Sequence, residues 1–161
     1  MKKKLYDRKL AVEYAIEWAY RRNPKYYNFD PVGGDCTNFI SQCVYAGAGV
    51  MNYTPILGWF YKSSTNRTPS WTGVEYFARF LTENNSIGPV GVYTDLNNID
   101  LGDVIQLGNA NGDFYHSLLV TGFNGPNVLV STHTFDALNR PLSSYLFNMI
   151  RFIHISHVNF Q

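Results

Sequence analysis

The residues best equipped for chemistry lie in one run, Gly33-Gly34-Asp35-Cys36-Thr37-Asn38-Phe39-Ile40-Ser41-Gln42. Paired glycines let the backbone take positive φ or pass close to another group. Asp35 is placed to cap a helix, its carboxylate accepting from free amides of the first turn. Cys36 then opens that helix, where unpaired N–H groups and the macrodipole favour an anion. A thiol so placed is expected to lose its proton readily, activated examples falling at roughly 3.5–7.5 against about 8.5 for a free thiol. Phe39, Ile40, Cys43, Val44 and Gly47 recur at helical spacing on the face that carries Cys36, so the sulfur points into the protein. The local pattern admits two readings, a nucleophile or a small buried hydrophobe.

A thiol hydrolase also needs a base near the sulfur and a group that orients the base. The four histidines are His116, His133, His154 and His157. His116 opens an apolar strand after the polar turn Asn111-Gly112-Asp113, a suitable place for an imidazole to face a thiol at a helix start. His133 lies at the far end of the next strand, and in an antiparallel hairpin the start of one strand neighbours the end of its partner. With a loop at Asn124–Asn127, His116 falls opposite Phe135, and His133 becomes its same-face diagonal neighbour. A one-residue change in the turn would bring Thr132 or Thr134 there instead. His116 is thus the stronger candidate base and His133 the weaker candidate, with a surface or hydrogen-bonded histidine as the alternative for each. His154 and His157 fall in the last strand and read as structural. There is no Cys-x-x-Cys, no His-Glu-x-x-His and no close histidine pair on a helix, so no metal site is expected. No P-loop or dinucleotide fingerprint is present, so no cofactor is expected.

These groups must be held by the elements around them. Asp7 can cap a first helix, in which Leu10, Ala11, Tyr14, Ala15, Trp18 and Ala19 have helical spacing from Lys9 to Arg21 and Pro24 marks the stop. The Cys36 helix runs to about Ala46, with Gly47 and Gly49 as stop signals. Residues 50–69 read as a long irregular loop whose Tyr53, Trp59 and Tyr61 could wall a cleft or pack on the core. Ser70 caps a third helix reaching about Asn84. The texture then changes to strands: Val90 to Tyr93, a run through Leu107 after the Gly102-Asp103 turn, Tyr115 to Thr121, Val128 to Thr134, and Asn148 to His157. Asn139 to Pro141 reads as a turn. Helices followed by an antiparallel meander predict an α+β fold, with residues 1–161 as a single domain.

The composition narrows the partners. With 45% hydrophobic and 16% charged residues the chain reads as globular, and a net charge of +1 offers no basic excess for nucleic acid or an anionic membrane. No apolar run is long enough to span a bilayer. Met1-Lys2-Lys3-Lys4 resembles the start of a signal peptide, but Asp7, Arg8 and Lys9 stand where its apolar stretch should be. A cytoplasmic protein and an excised or mature domain of a secreted one fit equally, and a monomer is expected. Cys36 and Cys43 on one helix lie about 10.5 Å apart along the axis, too far for a disulfide.

Several motifs carry a resemblance over nearly the whole chain. They are Tyr6-Asp7-Arg8 with Ala11-Val12 and Tyr14-Ala15, Asn23-Pro24-x-Tyr26, Gly34-Asp35-Cys36-Thr37-Asn38-Phe39-Ile40-Ser41-Gln42, Ser70-Trp71, Gly102-Asp103, His116-Ser117 and His133-Thr134-x-Asp136. Together they resemble the bacterial putative amidase domain family, which is similar to the NlpC/P60 and CHAP peptidases of the papain-like clan. The resemblance implies a papain-like fold, with the nucleophile helix packed on a C-terminal antiparallel sheet. It implies Cys36 as nucleophile, His116 as general base and then acid, and His133 as the group that orients it, with Asp136 and Asn139 in reserve. The implied activity is a cysteine-dependent amide or peptide hydrolase, with a peptide or amide substrate of cell-wall type. A non-catalytic binding domain on the same fold and an acyltransferase using the same thioester are the rival readings.

Overall fold

The computed structural model describes residues 1–161. Four helices and nine strands follow in order: β1 (Lys2–Lys4), α1 (Arg8–Trp18), α2 (Cys36–Ala48), β2 (Tyr61–Ser63), β3 (Asn66–Arg67), α3 (Pro69–Thr72), α4 (Val74–Glu83), β4 (Gly88–Thr94), β5 (Val104–Gly108), β6 (Phe114–Asn124), β7 (Asn127–Thr132), β8 (Ala137–Pro141) and β9 (Met149–Phe160). The chain is α+β, with helices first and an antiparallel sheet after them, as the sequence pattern predicts. The main sheet has seven strands. The long β9 pairs with β4 along one edge and with β5 and then β1 along the other, and β6, β7 and β8 continue outward from β5.

Asp7 caps α1 as expected, its carboxylate accepting from the Leu10 N–H at 3.0 Å. α2 is the core helix: eleven of its thirteen residues are buried, too many for one apolar stripe, so it is covered on several sides. It ends at Gly49, whose φ of 73° is the left-handed stop that favours glycine. The main apolar cluster joins α1, α2 and α4 to one face of the sheet through Phe39, Ile40, Trp59, Trp71, Phe77, Leu119 and Ile153. A second cluster, including Ile105, Leu107, Leu118, Val120 and Val130, lies on the opposite face. Both β5 and β6 therefore alternate between two buried faces, with Val104 and Leu119 on the helix side and Ile105 and Leu118 on the other.

Four expectations are corrected. The third helix is broken at Gly73, whose extended backbone (φ −104°, ψ 126°) separates α3 from α4. Thr68 rather than Ser70 precedes that helical turn, and the Ser70 hydroxyl instead donates to the Gly58 carbonyl at 2.6 Å. Residues 50–69 are not wholly irregular: β2 and β3 form a small hairpin, and Trp59 is fully buried with its indole N–H on the Ser41 hydroxyl. Asn139 to Pro141 belongs to β8 rather than to a turn, and Lys2–Lys4 adds an edge strand.

Candidate active site

Cys36 is the first residue of α2, and it is 7% exposed. The glycine turn before it takes the left-handed conformation the sequence implies, with φ of 88° at Gly33 and 105° at Gly34. A Cβ on Gly34 would also lie 3.1 Å from the Thr134 hydroxyl, and that hydroxyl accepts the Asp35 N–H at 2.9 Å. The turn is thus strapped to the segment that follows β7.

The expected capping role of Asp35 is not realised, because its carboxylate is engaged elsewhere. Oδ1 accepts from the Phe29 N–H at 2.8 Å and the Asn38 side-chain amide at 2.9 Å, while Oδ2 lies 2.6 Å from His133 Nδ1. The intrahelical ladder begins with Phe39 N–H to the Asp35 carbonyl, which leaves the amides of Cys36, Thr37 and Asn38 ahead of it.

The sulfur sits where β7 ends. Val120 on β6 directs its N–H and carbonyl toward β5, bonding the Asp103 carbonyl and the Gly102 N–H. By alternation, Ser117 and Leu119 direct theirs toward β7. Leu119 is paired there with Ser131, but β7 stops at Thr132 before it can cover Ser117. The Ser117 carbonyl takes the Thr132 hydroxyl at 2.8 Å instead, and the Ser117 N–H points at the Cys36 sulfur. His116 is the neighbouring residue on that strand.

Burial dominates the electrostatics of both groups. It pushes the Cys36 thiol up from its ordinary value, against hydrogen bonds from Ser117 and Thr37 that favour the thiolate, and the Asp35 charge adds to the rise. The expected lowering of the Cys36 pKa is therefore not found: enclosure outweighs the helix start. Burial, and then the charge of Arg140, pull His116 down to about 4. Both shifts favour the uncharged forms, a thiol at Cys36 and a neutral imidazole at His116.

His133 does not become the diagonal neighbour of His116. Near the turn the hairpin has the expected register, Asn124 opposite Asn127 and Gly122 opposite Leu129. An irregularity between Val120 and Gly122 then shifts it by one, so that Leu119 faces Ser131. A shift of one reverses the faces. His133 falls on the face of Ser117, toward the helices, stacked on Phe39 with ring centroids 3.8 Å apart. His116 shares the face of its partner Leu107, beside Tyr145. Both ring nitrogens of His133 are taken, Nδ1 by Asp35 and Nε2 by the Trp18 carbonyl at 2.8 Å. Asp136 binds Arg22, which also holds Asp30, and the Asn139 side-chain oxygen accepts from Thr121 at 2.7 Å. Cys36 is brought to Ser117, the residue after His116, while the His116 ring lies beside Tyr145; His133, Asp136 and Asn139 are held by other partners.

His154 and His157 lie apart from this site, His154 bonded to the buried Asp103 at 2.7 Å and His157 to Ser156 at 2.9 Å. No three His, Cys, Asp or Glu side chains converge in a way that could hold a metal ion. Two surface cavities of about 400 and 390 Å³ lie along α4 and on the far face of the sheet, and Cys36 lines neither. Sequence reasoning passed over Gln106, which bonds Ser117; a lone amide inside the apolar run Val104-Ile105-Gln106-Leu107 was its visible signal.

The fold is α+β, with a cysteine at a helix start against the strand that carries His116 and Ser117. The chain belongs to the Putative amidase domain family, which it matches over residues 5–156. It is 36% identical over 140 residues to the Bacillus subtilis (strain 168) protein named "Uncharacterized protein YhbB", an alignment covering 84% of this chain and 43% of that one. It is 30% identical over 141 residues to "Uncharacterized protein YjcM" of the same organism, covering 81% and 31% respectively. The chain thus spans less than half the length of these relatives. No solved structure matches it.

Proposed function

We propose that the protein is a cysteine-dependent amide hydrolase of papain-like build, with Cys36 as nucleophile and His116 as base. The observation that carries this reading is the position of the Cys36 sulfur: at the start of α2, against the N–H of Ser117, which follows His116 in the chain. Membership of an amidase family supports the bond type. The neutral imidazole accepts the thiol proton as the sulfur bonds the amide carbonyl carbon. Negative charge moves to the carbonyl oxygen, where the Cys36 N–H at the helix start stabilises it. The imidazolium passes its proton to the leaving amine as the C–N bond breaks, leaving a thioester. His116 then draws a proton from water, whose oxygen attacks the thioester and releases the acid and the thiol. The substrate class we propose is a peptide or amide of cell-wall type. The test is release of amine from peptidoglycan-derived peptides by wild type, Cys36→Ala and His116→Ala. Loss of at least 10²-fold in both variants is expected, and undiminished turnover by Cys36→Ala would overturn the proposal.

A further inference from the structure

A buried file of polar side chains runs from the sheet into the sulfur. Arg151 on β9 donates from Nε and an Nη to the Gln106 side-chain oxygen at 2.8 and 2.6 Å. Glu75 at 3.3 Å steadies the same guanidinium. With its oxygen fixed on Arg151, Gln106 turns its nitrogen the other way, donating to the Val74 carbonyl at 3.0 Å and the Ser117 hydroxyl at 3.1 Å. Ser117 lies 2.9 Å from the Thr37 hydroxyl, which lies 3.8 Å from the Cys36 sulfur. Gln106 and Ser117 are fully buried and Thr37 is 2% exposed, so a misdirected hydroxyl proton here could not turn to water.

That geometry dictates direction. Arg151 can only donate, which orients the Gln106 amide. Ser117 accepts from Gln106, and its one proton has a single acceptor left, Thr37. Thr37 accepts from Ser117, and its own proton has a single acceptor left, the sulfur. Reversing the Ser117–Thr37 step would strand the Ser117 proton in a dry interior, which costs about 1–3 kcal/mol.

We propose that Arg151, Gln106 and Ser117 are positioning residues in a one-way hydrogen-bond chain through which Thr37 donates to the Cys36 sulfur, supporting its negative charge and keeping its S–H proton pointed away from Thr37. This rests on the reading of Cys36 as nucleophile, and it adds residues that no helix-start argument supplies. The other titratable or charged groups on this side are Asp35 before the sulfur and His133 after β7, with Arg22 beside Asp35, while the His116 ring on β6 lies beside Tyr145. None belongs to the chain, so changes at Thr37 and Arg151 leave them in place.

The experiment titrates the Cys36 thiolate by its ultraviolet absorbance, taken as the difference from Cys36→Ala, in a Cys43→Ala background. Thr37→Val is expected to raise the midpoint by about one pH unit, the scale of a hydrogen bond to a charged group. Thr37→Ser should hold the parent value, and Arg151→Met should shift it upward by a smaller amount. Circular dichroism verifies the fold, and Arg151, at the partly exposed end of the chain, supplies a variant that is read even if Thr37→Val does not fold. A midpoint unchanged or lowered in Thr37→Val overturns the proposal. So does an Arg151→Met midpoint equal to the parent, because Thr37 would then act without the chain. These readouts need no substrate, so they fail or succeed separately from the turnover test of Cys36→Ala.

Discussion

His133 Nδ1 lies 2.6 Å from Asp35 Oδ2, joining the end of β7 to the residue immediately before Cys36. The second ring nitrogen faces the Trp18 carbonyl, which can only accept, so Nε2 carries a proton. Asp35 receives two further N–H bonds on its other oxygen and has Arg22 Nε at 3.7 Å. The pair is a buried tie between helix and sheet whose removal on one side strands the other. Asp35→Asn and His133→Leu should each cost about 3–5 kcal/mol, read by urea unfolding. The double variant should cost less than the sum, and strict additivity would show that the contact is not energetically coupled.

The acid limb of activity should lie low. Because His116 is pulled down to about 4, it is already the base form at neutral pH. The kcat/KM profile is expected to climb through about pH 4 and then level off. A decline is expected only where the thiol, raised by burial, begins to ionise. A thiolate–imidazolium pair would instead give a limb set by an acidic thiol, and an acid limb displaced to about pH 6–7 would count against the neutral pair.

The same histidine ties stability to pH. Unfolded, it binds a proton as pH falls below its ordinary 6.5; folded, it resists until about 4. In that window the unfolded state holds more protons, so stability drops as pH falls, by up to about 3 kcal/mol. His116→Gln should flatten the stability curve between those values, and the wild-type minus variant difference isolates this group from the carboxylates. Parallel curves would show that His116 is not desolvated.

Asp103 is a second buried carboxylate and a purely architectural one. It accepts from Arg8 at 2.7 Å, His154 at 2.7 Å, the Ile155 N–H at 2.9 Å and the Asp100 N–H at 2.8 Å, pinning α1 to β9. Asp103→Ala should cost about 3–5 kcal/mol in chemical denaturation while leaving the Cys36 titration midpoint where it was. A shifted midpoint in a folded variant would tie this hub to the site.

What the sequence discloses follows how local each feature is. α1 and α2 are legible because Asp7, Gly49 and the apolar spacing act within a few residues. β1 is not, since Lys2–Lys4 has no apolar alternation and is a strand only through the backbone of β9. The register of His133 fails for a sharper reason: the turn at Gly125-Pro126 behaves as expected, but an irregularity between Val120 and Gly122, beyond the turn, reverses the face of each residue after it. The helix start at Cys36 and the strand that carries His116 are legible from local spacing. The thiol's raised pKa is not, because helix position is written in the sequence while enclosure by the end of β7 is not.

That enclosure bears on the protein's life in air. A sulfur with little access to solvent and a proton held at neutral pH offers peroxide almost no thiolate to attack. The same geometry should keep Cys36 reduced through long storage without added thiols, and spare it the climb to sulfinic acid that an exposed, acidic cysteine undergoes.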